Sequence, residues 1–145
     1  MKTRIARQAL LSLSAALMVG AGVFGVATGA LAADVKVQLN GDQEVPPVKT
    51  VGVGSGFFAI ANNNAITGSV NTAGISGTVA HIHEAAPGKN GPVIIPLTKN
   101  GDTYTVPEGA KLNDAQLAAF KAGNLYVNVH TAANSGGEVR GQLKP

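Results

Sequence analysis

Short stretches rich in Val, Ile, Leu and Ala recur between residues 35 and 143, and most of them end at Gly, Asn or Pro. Short apolar or alternating runs bounded by turn-forming residues are typical of β-strands. The pattern predicts about eight strands, at residues 35–39, 51–61, 65–70, 76–84, 93–98, 103–106, 125–131 and 138–143. Many short strands with frequent turns predict an all-β fold, which we interpret as a Greek-key β-sandwich.

One short helix is predicted between the sixth strand, at residues 103–106, and the seventh strand, at residues 125–131. Asn113 is a good N-cap, and Gln116 lies three residues later, as in a capping box. Leu117 and Phe120 provide an apolar face, and Gly123 is a residue type that ends helices. We therefore expect a short crossover helix across one end of the sheets.

The N-terminal segment has the pattern of a secretory signal peptide. Lys2, Arg4 and Arg7 precede an apolar stretch at residues 9–27, and Ala30-Leu31-Ala32 is a small-x-small cleavage sequence. We predict a signal peptide at residues 1–32, a mature domain at residues 33–145, and a periplasmic or secreted location. An uncleaved membrane anchor is the alternative interpretation, because the apolar stretch is roughly long enough to span a bilayer. If the signal peptide is cleaved, we expect no membrane span in the mature domain.

The charge of the mature domain excludes one class of partner. The chain has 11 Lys and Arg against 8 Asp and Glu, and three of the basic residues belong to the predicted signal peptide. The remaining 8 basic and 8 acidic residues balance, so nucleic-acid binding, which needs a basic surface, is not expected. Because the chain has no Cys, it has neither disulfides nor thiolate ligands.

The three histidines of the chain lie on predicted strands. Side chains alternate along a strand, so His81 and His83 share one face, and His130 lies on the more polar face of residues 125–131. If these two strands are neighbours, the three imidazoles meet and form a metal site of His81, His83 and His130. Three imidazole nitrogens suit several transition metals; the Irving–Williams order favours copper, with zinc as the alternative.

Other interpretations of these polar residues stay open. The histidines can be structural, bonded to Tyr126, Asn128 or the backbone. Glu84 alternates to the opposite face and is expected to be a surface charge at the strand end. Glu44 is either an outer acceptor that orients an imidazole or a cap of its own turn. Glu138 and Arg140 share a strand face and are expected to pair with each other or with solvent.

Several motifs together resemble the chordin-type (CHRD) domain family. The resemblance covers essentially the whole mature chain and rests on LNGDQEVPPV at residues 39–48, AHIH at 80–83, GPV at 91–93, LYVNVHT at 125–131 and GEVRGQL at 137–143. Domains of this family occur in the animal developmental protein chordin and, as single secreted domains, in many bacteria. The resemblance implies a β-sandwich and an extracytoplasmic location.

A weaker likeness connects the chain to the copper/zinc superoxide dismutases, which are Greek-key sandwiches. In that family an H-x-H pair and a late histidine bind copper, and His81, His83 and His130 match them by position. The chain has no histidine left for a bridging ligand or a zinc loop, and it has no disulfide. The likeness therefore implies a copper site and leaves dismutase activity in doubt.

Three classes of function follow from the sequence. The first is a metal-binding protein for copper storage, delivery or tolerance. The second is a non-catalytic extracellular interaction module, with an envelope or extracellular protein as partner and structural histidines. The third is a small metalloenzyme of the superoxide dismutase type. No Gly-x-Ser-x-Gly or Ser-x-x-Lys nucleophile motif is present, so the residues do not require an enzyme.

Overall fold

The computed structural model describes residues 31–145 of the chain. The predicted signal peptide at residues 1–32 lies outside the described residues, except that Leu31 and Ala32 begin the first strand. The described residues form nine strands and one α-helix: β1 Leu31–Asn40, β2 Val53–Ala61, β3 Ile66–Ala73, β4 Gly77–Glu84, β5 Val93–Pro96, β6 Thr98–Asn100, β7 Thr103–Thr105, α1 Asp114–Lys121, β8 Leu125–Thr131 and β9 Val139–Leu143.

The strands pair in the order β5-β4-β8-β9-β1-β2-β3-β7-β6, and every pair is antiparallel. The last strand therefore lies beside the first, as the long connections of Greek-key folds allow. The all-β prediction is confirmed.

The two ends of this strand order meet, because β5 and β6 are one extended segment that changes partners. Residues of β5 pair with β4, and residues of β6 pair with β7. Between them, the Leu97 amide donates a 2.9 Å hydrogen bond to the carbonyl of Ala80. The single strand predicted at residues 93–98 is thus broken at Leu97, and the sheet almost closes on itself around the core.

The core is apolar and comes from the inward residues of each strand. Val35, Val37 and Leu39 of β1 are at most 3% exposed, and Val127 and Val129 of β8 are 0% exposed. Burying each such side chain contributes about 1.5–3 kcal/mol, so the alternation seen in the sequence orients every strand with the same face inward.

Helix α1 begins and ends as predicted. Asn113 and Gln116 form the capping box, with hydrogen bonds of 2.8 and 2.9 Å between each side chain and the other residue's amide. Phe120 is 1% exposed and attaches the helix to the core. Among residues 31–145 no helix is long and apolar enough to cross a membrane.

A second buried layer lies on the outer face of β4, β8 and β9, and it is polar. His83, Tyr126, Asn128 and Arg140 point to this face, yet their exposures are only 7, 2, 2 and 1%. The segments that follow β1, β4 and β8 cover it, and Glu44 of the first of these segments is 4% exposed. Polar groups buried in this way must find partners, which makes this layer the candidate functional region.

Candidate metal centre

Strands β4 and β8 are direct neighbours, and their register brings the histidines together. His81 lies opposite Asn128, His83 lies opposite Tyr126, and Val79 lies opposite His130. His130 is therefore diagonal to His81, on the same face. The condition on which the sequence-based metal hypothesis depended, that these two strands are adjacent, is met.

The three imidazoles form a compact group. One ring nitrogen from each of His81, His83 and His130 lies within 4.8 Å of the other two. Nδ1 of His81 and Nε2 of His130 lie 3.1 Å apart. Two nitrogens bound to one metal at about 2.0–2.1 Å are about 2.9–3.4 Å apart, so this pair already has the spacing of neighbouring ligands. The group could hold a metal ion.

Backbone carbonyls orient two of the rings. Nδ1 of His83 lies 2.9 Å from the carbonyl oxygen of Gly91, and Nδ1 of His130 lies 2.9 Å from that of Ser135. A carbonyl only accepts, so both Nδ1 atoms carry the proton and both Nε2 atoms keep a lone pair. Metal-binding histidines commonly donate their other N–H to a carbonyl in this way.

The Nε2 atom of His83 is buried and has no hydrogen-bond partner within residues 31–145. An acceptor left in this state costs about 1–3 kcal/mol unless something occupies it. Burial also lowers the pKa values of His81 and His83, and the neighbouring imidazole charges lower them further. The rings are therefore neutral at neutral pH, which is the form that binds metals.

Glu44 and Asn128 belong to the same buried polar layer as His83, and their side chains interact with each other. Burial raises the pKa of Glu44 to about 7, although the charge of Arg140 and the Asn128 amide lower it in part. Glu44 Oε1 and Asn128 Oδ1 are buried without a hydrogen-bond partner in the described residues. Gly137 has a φ of +127°, and a Cβ atom there would collide with both side chains.

Tyr126 separates the histidines from Arg140. The His83 and Tyr126 rings stack with centroids 4.7 Å apart and an interplanar angle of 5°. The guanidinium carbon of Arg140 lies 3.5 Å from the centre of the Tyr126 ring. Because β8 runs between β4 and β9, these two groups cover opposite faces of the tyrosine.

The expected pairing of Glu138 with Arg140 or solvent is corrected by the structure. Glu138 accepts hydrogen bonds from Thr50, Thr131 and Asn134, the first at 2.6 Å, and the two threonine hydroxyls are the main cause that lowers its pKa. These bonds hold residues 132–137, the segment that supplies the Ser135 carbonyl to His130. Glu84 ends β4 and is partly exposed.

The sequence predicted the histidines and their neighbours Tyr126 and Asn128, but it did not predict that this polar layer is buried. Alternation along residues 138–143 places Arg140 and Gln142 on the outer face, and alternation along β8 places Tyr126 and Asn128 there too. That signal shows which face a residue occupies. It does not show that covering segments bury the face, and this is why Arg140 was expected at the surface.

Among the comparisons with known proteins, the one with family models agrees with the motifs. Neither a search of curated proteins nor a search of solved structures finds a match. A family model described as the CHRD domain matches residues 35–143, which is most of the chain and includes all three histidines. The chain therefore belongs to the CHRD domain family.

Proposed function

We propose that this protein binds one transition-metal ion through His81, His83 and His130, and that the metal is copper. The observation that carries the proposal is the buried Nε2 atom of His83, which has no partner in the described residues and belongs to a group of three imidazole nitrogens within 4.8 Å. A metal ion would give this atom its missing partner.

The tautomers of the rings favour binding. The carbonyls of Gly91 and Ser135 leave the Nε2 atoms of His83 and His130 unprotonated, which is the state in which they can bind a metal. His81 points its Nδ1 atom at Nε2 of His130, so in the metal-free protein that Nδ1 atom carries a proton. Metal binding requires that this hydrogen bond break and that the proton move to Nε2 of His81.

Copper is favoured over zinc by the chemistry of the ligands. The Irving–Williams order places Cu(II) above Zn(II) for a site made of imidazole nitrogens.

Storage or delivery suits the exposure of the site. His83 is buried, whereas His81 and His130 are partly exposed, so an incoming ligand can reach the metal from one side. The metal would supply Lewis acidity and a redox couple when bound. The side chains would hold it, and Tyr126 would shield His83 from solvent. An open coordination position is also compatible with the metalloenzyme alternative. Metal-dependent turnover above that of free copper would support that alternative.

The N-terminal segment supports export of the protein to the periplasm or beyond. Export followed by cleavage after Ala32 would remove the first two residues of β1 and keep its continuous pairing with β2 from Ala33. N-terminal sequencing of the protein recovered from the envelope fraction should begin at Ala33. A mature protein that retains Met1 would identify the segment as an anchor.

One observation favours the interaction-module alternative. The hydrogen bonds of His83 to Gly91 and of His130 to Ser135 also attach two covering segments to the sheet. Histidines with this role would be structural, and the segments would present a surface to a partner protein. Envelope proteins retained on the domain after all three histidines are replaced by alanine would support this alternative.

The test of the proposal is a calorimetric titration of residues 33–145 with Cu(II) and Zn(II), accompanied by Cu(II) electron paramagnetic resonance. We expect one tight copper equivalent with nitrogen hyperfine structure, lost in the His81→Ala/His83→Ala/His130→Ala variant. Glu84→Gln, which removes the adjacent carboxylate, serves as the matched control and should bind normally. Absence of binding by a folded wild-type domain would overturn the proposal.

A further inference from the structure

Arg140 is a buried cation whose hydrogen-bond partners are neutral. Its side chain is 1% exposed. Its two terminal nitrogens donate to the amide oxygens of Asn90 at 3.3 Å and of Gln142 at 3.1 Å. Glu44 acts on it through charge, and within residues 31–145 no hydrogen bond joins the two side chains. A buried charge is costly unless it is compensated, and the Tyr126 ring face and the charge of Glu44 compensate this one without a charged hydrogen-bond partner.

Arg140 lines a cavity of about 410 Å³ on the side of the sheet opposite the core. This volume lies within the usual range of small-molecule sites, about 300–1,000 Å³. Lys144 adds a second cation, and Val45, Pro47 and Pro87 form apolar walls. Asp42 and Glu44 also line the cavity and add negative charge.

We propose that this cavity binds a small organic monocarboxylate. The carboxylate would pair with the guanidinium of Arg140 and with Lys144, and the apolar body would contact Val45, Pro47 and Pro87. Guanidinium groups match carboxylates in shape and bind them through two parallel hydrogen bonds. Inorganic phosphate fits less well, because its additional negative charge would face Asp42 and Glu44.

This site is distinct from the metal centre. The ring of Tyr126 lies between Arg140 and His83, with Arg140 on one face and His83 on the other. None of the three histidines lines the cavity. The carboxylate site therefore does not depend on the proposal that the protein binds copper.

The test is a ¹⁵N NMR titration of metal-free residues 33–145 with butyrate, and with butylammonium and inorganic phosphate as comparison probes. Butyrate should give saturable shifts at the side-chain amides of Gln43 and Gln142 and at the Arg140 Nε–H group. Phosphate should bind at least about tenfold more weakly. Butylammonium has the same apolar body and the opposite charge, so it should cause no saturable shift there. An N-acetylated dipeptide that binds more tightly than butyrate would support the site and identify a peptide C-terminus as the source of the carboxylate.

Three variants and one control separate this proposal from a structural role for Arg140. Lys144→Ala should weaken butyrate binding several-fold, whereas Lys89→Ala, a surface lysine outside the cavity, should not. Arg140→Lys keeps the charge, loses the paired geometry, and should weaken binding about tenfold if its spectrum shows a folded protein. Glu44→Gln removes a competing carboxylate and should tighten binding at pH 8.

The proposal is overturned if butyrate produces no saturable shift, if butylammonium produces the same shifts, or if Glu44→Gln leaves the butyrate affinity unchanged. Copper titration of Lys144→Ala should give the wild-type result, because Lys144 lies outside the metal centre. A failure of the carboxylate proposal, seen as absent butyrate binding, is thus distinguishable from a failure of the metal proposal, seen as absent copper binding.

Discussion

At the scale of single residues, Glu44 shows how the covering segments change the chemistry of the face beneath them. Its carboxyl group is buried, and its pKa is about 7 instead of 4.5. The folded protein therefore holds this proton more tightly than the unfolded chain does. The contribution of Glu44 to stability is complete below about pH 4.5 and is lost as pH rises through about 7.

Glu44→Gln should therefore stabilise the protein at high pH only. A glutamine keeps the shape and cannot ionise, so we expect the free energy of unfolding to rise by about 1–3 kcal/mol at pH 8 and to change little at pH 4. Urea denaturation at both pH values measures this. Glu108→Gln, which alters an exposed carboxylate, is the control. An equal effect of Glu44→Gln at both pH values would contradict the raised pKa of Glu44.

The histidine pKa values make a second residue-level prediction. Burial and mutual repulsion hold the pKa values of His81 and His83 below the usual 6.5. Metals compete with protons for these nitrogens, so protonation of His81 and His83 should weaken copper binding mainly below about pH 6.5. Calorimetric titrations between pH 7.5 and 4.5 measure the affinity. A constant affinity down to pH 4.5 would exclude a site made of histidines alone.

At the scale of elements, the segment at residues 132–137 connects the stability of the fold to the metal centre. Glu138 holds it through Asn134, and its Ser135 carbonyl orients His130. Gly137 permits the close approach to Glu44 and Asn128. The segment therefore orients one metal ligand, His130, although none of its own residues is a ligand.

Gly137→Ala should disturb this support. The new Cβ atom would collide with two buried side chains at a positive φ, so we expect a loss of about 1–3 kcal/mol in the free energy of unfolding and weaker copper binding. Gly136→Ala is the matched control, because a Cβ atom at Gly136 would meet nothing within 4 Å. Urea denaturation and copper titration of both variants measure the effects. Equal results for the two glycines would refute this role.

The capping box of α1 makes an independent element-level prediction. Asn113 accepts a 2.8 Å hydrogen bond from the Gln116 amide, which otherwise has no partner in the first turn. Asn113→Ala should lower the free energy of unfolding by about 1 kcal/mol, and Asn113→Ser, which keeps an acceptor, should lower it much less. Thermal denaturation measured by circular dichroism distinguishes the two. Copper affinity should be unchanged, because the helix lies outside the metal centre.

At the scale of the whole molecule, metal binding and folding are linked. The three ligands come from two strands that are far apart in sequence, so the unfolded chain does not hold them together. Copper at about 100 times its dissociation constant should stabilise the domain by about 2.7 kcal/mol. For a domain of this size the midpoint of thermal unfolding should rise by roughly 10 °C. A similar rise in the triple-alanine variant would show that copper acts elsewhere.

Local patterns in the sequence determined the secondary structure and the facing of the side chains. The alternation around His81 and His83 and the capping residues of α1 were both correct, because side-chain direction and helix capping depend on neighbours within a few residues. For the same reason the sequence predicted that His130 faces outward on its strand. These features formed the candidate metal site.

Only the tertiary structure decided which strands are neighbours and which faces are covered. The pairing of β4 with β8, the change of partner at Leu97 and the burial of Arg140 all join residues far apart in the chain. Such contacts depend on the packing of the complete sheet, and an isolated strand pattern is compatible with several partners. The sequence alone therefore determined the strands and the orientation of the histidines, and the packing of distant segments determined that the histidines meet and that a buried polar layer surrounds them.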